Sequence, residues 1–204
     1  MAADRDTELM ERLARDDEGA LDVLVAAFAP GLLRFARRTL ADPEEAEDVV
    51  QEAFVRLWRA RRRWRPTATL STYLHTIVTR LCLNRRRSLL RRPAHGSLPA
   101  DDEAAHPGDR APDPERLAAS AQLGTALAAE LAALPPNQRA ALLLRHEAGL
   151  SYQAIAAALD TTAGAVESLL SRARARLRGR LAGWLAQGCD AGHDPRAGKP
   201  RNRG

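Results

Sequence analysis

The chain has 204 residues, of which 45% are apolar, 28% charged and 4% aromatic. This composition excludes wholesale disorder, and the scarcity of aromatics beside abundant Ala and Leu favours helices over sheets. The formal net charge is +5, and every basic residue except Lys199 is arginine, the side chain suited to bidentate phosphate and base-edge contacts.

In chain order, the opening MAADRDTELM has no apolar core of a signal peptide, and no apolar run approaches the ~18 residues of a membrane span. The expectation is a cytoplasmic chain without stable membrane insertion. Three helical stripes follow: Leu21, Leu24, Val25 and Phe28; Val50, Phe54, Leu57 and Trp58; Leu70, Leu74, Ile77 and Leu81. Pro30, Pro43 and Pro66 are expected to punctuate between them. The segment PAHGSLPADDEAAHPGDRAPDPE, residues 93–115, holds five prolines and no periodic apolar face, and reads as a flexible linker. Beyond it, Leu123, Leu127, Leu131 and Leu134 share a helical face, and Leu142 to Leu144 follow Pro135 and Pro136. Residues 186–204 read as a disordered tail. The expected fold is all-α: two small helical domains, 8–92 and 116–185, joined by the flexible linker.

The stretch LSYQAIAAALDTTAGAVESLLSRARARL, residues 150–177, predicts two helices around a tight turn. Ser151 is the N-cap of the first, although Ala154 stands where a capping box would place Glu. Asp160, Thr161 and Thr162 form the turn, and Val166, Leu169, Leu170, Ala173 and Leu177 form the inner face of the second helix. Its outer face carries Glu167, Ser168, Ser171, Arg172 and Arg174. Such a pair fits a helix-turn-helix whose second helix enters the major groove, or a plain helical hairpin with a solvated face. Of the arginines alternating from Arg172 to Arg180, Arg172 lies one turn after Ser168 on the exposed face.

Charge is segregated in the first domain. Residues 39–55 hold six acids (Asp42, Glu44, Glu45, Glu47, Asp48 and Glu52) and no base, whereas residues 53–92 hold twelve arginines and no acid. Two surfaces with two partners are expected: a basic protein for the acids and a phosphate backbone for the arginines. Trp64, Tyr73 and His75 lie within the basic block, where rings either stack on unpaired bases or belong to the core.

The stretches AEDVVQEAFVRLW, LSTYLHTIVTRLCLNRRR and LPPNQRAALLLRHEAGLSYQAIAAALDTTAGAVESLLSRARARL resemble conserved regions two and four of the extracytoplasmic-function group of the sigma-70 family. The resemblance covers roughly residues 8–92 and 116–182. It implies a dissociable subunit of bacterial RNA polymerase that directs promoter recognition and transcription initiation. Docking on core polymerase would fall to Asp48, Gln51, Glu52, Phe54, Leu57 and Trp58. The −10 element would meet Trp64, Tyr73, Arg80, Asn84, Arg85 and Arg87, and the −35 element Thr162, Glu167, Ser168, Ser171, Arg172 and Arg174. An acid at Glu167 does not bind phosphate, but it accepts a hydrogen bond from a cytosine amino group, so it reads as a specificity residue or as a solubilising surface Glu. Tyr73-Leu74, Thr79-Arg80 and Asn84 depart from the family pattern, which puts the −10 preference in doubt.

The resemblance also implies an anti-sigma factor as a third partner, beside core polymerase and promoter DNA. The alternative is a stand-alone helix-turn-helix regulator that binds operators without polymerase. No enzyme, cofactor, metal or small-molecule substrate is expected. The histidines at 75, 95, 106, 146 and 193 have no ligand spacing, and Cys82 and Cys189 lie too far apart for a C-x-x-C site.

Overall fold

The computed structural model describes residues 2–40, 42–89 and 114–190. The described residues form eight helices and no strand: α1 (Ala2–Ala14), α2 (Glu18–Leu40), α3 (Pro43–Ala60), α4 (Leu70–Leu89), α5 (Pro114–Ala132), α6 (Pro136–His146), α7 (Tyr152–Leu159) and α8 (Ala163–Asp190). The expected linker lies outside the described residues except for its last two, which open α5. Of the expected tail, residues 186–190 continue α8 as helix and the rest lies outside the description.

Local chemistry sets most helix ends. Asp42 caps α3, its Oδ1 accepting from the Glu45 amide at 3.2 Å, and Pro43 sits where its missing N–H costs nothing. Glu44 and Glu45 then place negative charge at the positive end of the helix dipole. Thr69 Oγ1 accepts from the Thr72 amide at the start of α4. Between α1 and α2, Asp16 takes the left-handed conformation (φ 63°), and its carboxylate binds Arg61 and Arg62 from the end of α3. Pro30 does not separate two helices as expected. α2 runs unbroken through it, because burial of Leu24 before it and of Leu32, Phe35 and Ala36 after it outweighs one lost backbone hydrogen bond. By length and mean hydropathy (1.5 over its most apolar window) α2 would suffice to cross a membrane, yet its buried side packs on α3 and α4.

α1 to α4 form one bundle, with Met10, Leu13, Leu24, Leu32, Phe35, Leu57, Leu70 and Leu74 fully buried inside. The inner stripe of α4 is Leu70, Leu74, Val78 and Cys82, so Ile77 and Leu81 are only partly buried. Cys82 is a free thiol whose acidity burial suppresses, pushing its pKa up to about 12. α5 to α8 form the second unit around Leu144, Ile155, Val166 and Leu170. Leu131 and Leu134 enter that core, but Leu123 and Leu127 remain exposed at 42% and 38%, so the leucine stripe of α5 is buried only in its last turn.

The two units share one continuous apolar core. α4 packs on α7 and α6, and the C-terminal end of α2 packs on α5 and α6. Arg139, 2% exposed, joins them: its guanidinium donates to the Thr39 carbonyl at 3.1 Å and more weakly to that of Arg38 at 3.4 Å, and also to the carbonyls of Ala132 and Leu134. Helices end with orphan carbonyls that need donors, and Arg139 serves the ends of α2 and α5 together. Burial, with Arg86 nearby, lowers the Arg139 pKa to about 10, which leaves it charged at neutral pH. Around it, Arg38 pairs with Glu147 at 2.5 Å and Arg80 donates to the Ala157 carbonyl at 2.7 Å.

Candidate nucleic-acid interface

α7 and α8 are built as the sequence predicts. Ser151 Oγ accepts from the Ala154 amide at 3.2 Å, and Asp160 closes α7 in the left-handed conformation (φ 53°). Thr162 Oγ1 accepts from the Ala165 amide at 3.2 Å and so caps α8. Val166, Leu170 and Ala173 are buried, with Leu169 and Leu177 half-buried beside them. The opposite face presents Glu167, Ser168, Ser171, Arg172 and Arg174 to solvent. The first four line one open depression, and Glu167, Ser171 and Arg174 line another beside it with Tyr152, Ala175 and Arg178. Arg172 Nε donates to the Ser168 carbonyl at 3.1 Å, which lays its side chain along the helix. The Tyr152 ring has the Arg145 guanidinium 5.5 Å away, so it adds an aromatic edge to the surface. Arg178 follows Glu167, Ser171 and Arg174 on the same stripe of α8, whereas Tyr152 and Arg145 lie on other helices and were not legible in the sequence as neighbours of this surface. Arg180 turns away to pair with Glu130 of α5 at 3.3 Å.

The residues expected at a −10 element are scattered in role. Trp64 and Tyr73 are half-buried against the core, which favours the core reading of these rings over free stacking platforms. Arg80 is engaged by α7. Asn84 Oδ1 accepts from Arg87 at 3.3 Å, and Arg85 is held by Glu45 and Asp48 of α3. The two charged surfaces expected to be separate therefore meet along the seam between α3 and α4. His75, 9% exposed, stacks edge-on to Phe35 at 5.5 Å, and its Nδ1 lies 2.8 Å from the Ser71 carbonyl. Burial holds its pKa below the ordinary 6.5, opposed by the hydrogen bond to Ser71 and the charge of Glu147.

On α3, Asp48 and Gln51 are exposed and Glu52 and Trp58 partly so. Phe54 (8%) and Leu57 (0%) are buried: both point into the bundle beneath the exposed face of α3. The outer face instead shows Val55, 41% exposed, one turn after Gln51. The signal was its position out of phase with the inner stripe Val50, Phe54, Leu57. Arg61 lies 4.0 Å above the Trp58 ring, so the indole's outer face is already covered by a cation. Among the described residues no group of three His, Cys, Asp or Glu side chains converges as a metal site.

Family models agree with both units: Sigma-70 region 2 matches residues 24–92 and Sigma-70, region 4 matches residues 125–177. The RNA polymerase sigma-H factor of Pseudomonas aeruginosa is 33% identical over 85% of this chain and 92% of its own length. The ECF RNA polymerase sigma factor SigM of Mycobacterium tuberculosis is 36% identical over 90% of this chain and 87% of its own. Among solved structures, CnrH in complex with the cytosolic domain of CnrY matches with a TM-score of 0.61 at 27% identity, covering 87% of this chain and 97% of that one.

Proposed function

The chain belongs to the extracytoplasmic-function group of the sigma-70 family, and on that premise we propose which of its surfaces does what. The protein is a sigma subunit that binds core bacterial RNA polymerase and directs promoter recognition and transcription initiation. Its role is recognition and not catalysis, and we place it in the cytoplasm with the polymerase and the chromosome.

The outer face of α3 is the polymerase dock: Asp48, Gln51, Val55 and the exposed parts of Glu52 and Trp58, with Phe54 and Leu57 supporting it from beneath. An acidic face carrying one exposed valine suits a basic protein surface and repels nucleic acid. The open face of α8 reads the −35 element. There Glu167 accepts from a base amino group while Thr162, Ser168, Ser171, Arg172 and Arg174 hold backbone and neighbouring bases. The −10 element falls to α4 and the loop before it, through Arg80, Asn84, Arg85, Arg87 and the ring edges of Trp64 and Tyr73.

The observation that carries this division is the exposure of the outer face of α8 while Arg80 of α4 is spent on the α7 carbonyl of Ala157. The isolated chain is therefore a weak DNA binder, and polymerase holds the two units apart at the span of the two promoter elements. A silencing partner of the anti-sigma class is consistent with CnrH being solved with the cytosolic domain of another protein. A stand-alone operator-binding regulator leaves the acidic face of α3 without a role. Run-off transcription with core polymerase on a library of upstream regions tests the reading. Discrete transcripts that require the protein and share spaced −35 and −10 elements are expected. Specific DNA binding by the chain alone, with no association with core polymerase, would refute it.

A further inference from the structure

α3 and α4 bring together two side chains assigned above to different partners: Asp48 of the docking face and Arg85 of the DNA face. Arg85 Nε donates to Glu45 Oε2, and its Nη2 donates to Asp48 Oδ2 at 3.3 Å. Glu45, 22% exposed, is fixed in the first turn of α3, where the helix dipole favours its charge. Asp48 is 64% exposed and Arg85 43%, so both stay within reach of solvent and of a partner while paired. Its neighbours in the run are committed differently. Arg86 turns inward to the Thr39 carbonyl at 3.3 Å, and Arg87 turns to Asn84. The two carboxylates take the Nε–Nη2 edge of the guanidinium, one of the edges on which a phosphate binds in bidentate fashion, and their charge competes with a phosphate for the cation.

We propose that Arg85 is a shared ligand that couples polymerase docking to promoter binding. It rests on the assignment of α3 to polymerase and of α4 to DNA. In the free chain Glu45 and Asp48 compete with phosphate for Arg85. A cationic polymerase side chain that pairs with Asp48 removes one arm of the clamp, and Arg85 then swings to a phosphate of the promoter strand. Binding free energies are reciprocal, so a phosphate on Arg85 also frees Asp48 for polymerase. The clamp is partly exposed, so the coupling is modest, about two- to fivefold in affinity.

A mutant cycle on the full chain tests it, using wild type, Glu45→Gln, Arg85→Gln and the double variant. Affinity for a fluorescein-labelled single-stranded DNA is read by anisotropy at low salt, first without polymerase and then with saturating core enzyme. Glu45→Gln should bind DNA about two- to fivefold more tightly as the free chain, and Asp48→Asn, which removes the arm that docking removes, should shrink the gain on adding polymerase by a similar factor. In the Arg85→Gln background the Glu45 change should do nothing. Asp48→Asn, an exposed position that tolerates substitution, should also tighten free-chain binding, and guards against misfolding of Glu45→Gln. Unchanged free-chain affinity in both acid variants would overturn the proposal. So would equal tightening with and without Arg85, which is the signature of a general loss of negative charge. If wild type fails to associate with core polymerase, the docking assignment falls on its own, while the free-chain cycle still decides whether the clamp competes with phosphate.

Discussion

The outer faces of α8 and α4 make the most informative contrast in this molecule. Both are arginine-rich helices assigned to DNA. On α8 the polar side chains reach solvent, and the hydrogen bond of Arg172 goes to its own helix. On α4, Arg80 bonds α7, Arg85 bonds α3 and the tyrosine is half-buried. The difference lies in what is packed nearby. α8 packs on α5, α6 and α7 of its own unit, whereas α4 carries α6 and α7 of the other unit. A row of arginines is thus a statement about possible partners, and the packing decides which of them are already satisfied inside the protein.

The contrast breaks most sharply at Arg139. Replacing it with Ala leaves four carbonyls at two helix ends without this donor and removes the bridge between the units. A loss of about 3 kcal/mol is expected, lowering the melting temperature by about 6–12 °C in calorimetry. A change under about 0.5 kcal/mol would mean that the two units do not rest on each other in solution.

On the open face, Glu167→Ala and Arg172→Ala should separate specificity from affinity. Glu167→Ala should relax preference at one −35 base pair, a discrimination of about 1–3 kcal/mol measured on mutated promoters. Arg172→Ala should weaken all promoters alike and lower the slope of log affinity against log salt by about 1. Equal effects of Glu167→Ala on every promoter variant would return that acid to the role of a solubilising surface residue.

A smaller effect is expected where the units meet in partial exposure. Glu147→Gln removes the pair with Arg38 and should cost under about 1 kcal/mol of stability. It should nevertheless raise free-chain DNA affinity if that pair helps keep α4 covered, and anisotropy without polymerase reads this directly.

The gentlest probe is pH. His75 is buried with its pKa held below 6.5, so the fold favours its neutral form. Its contribution is present in full above the unfolded value and is lost as pH falls through 6.5 and then the depressed folded value. The melting temperature should therefore drop between pH 7.5 and pH 5 by more in wild type than in His75→Gln. Identical drops would show that carboxylates alone carry the acid sensitivity.

Much of this was legible in the sequence, for identifiable reasons. Helical period and capping residues are local properties, so most of the helices, the turn at Asp160 to Thr162 and the outer face of α8 could be read directly, whereas α1 was not read and α2 was expected to break at Pro30. Ser151 and Asp42 cap the helices they precede because their partners lie three residues away in sequence. On α3, helical period already placed Phe54 and Leu57 on one apolar stripe, and only the resemblance gave them a docking role; the structure buries both and leaves Val55 outside.

What the sequence determined by itself was the class of the chain, two all-helical units with a helix-turn-helix and a split of acid from base. Those features are carried by composition and short spacing. Tertiary structure alone decided that the units rest on one another, that α2 continues through Pro30 and that Arg85 belongs to Glu45 and Asp48. These depend on pairs 40 and 37 residues apart in the α3–α4 clamp, and 100 apart between Arg139 and Thr39. Periodicity carries no information over such separations. A guanidinium takes whichever oxygens the packed helices bring within reach, and that choice is made only when the core closes.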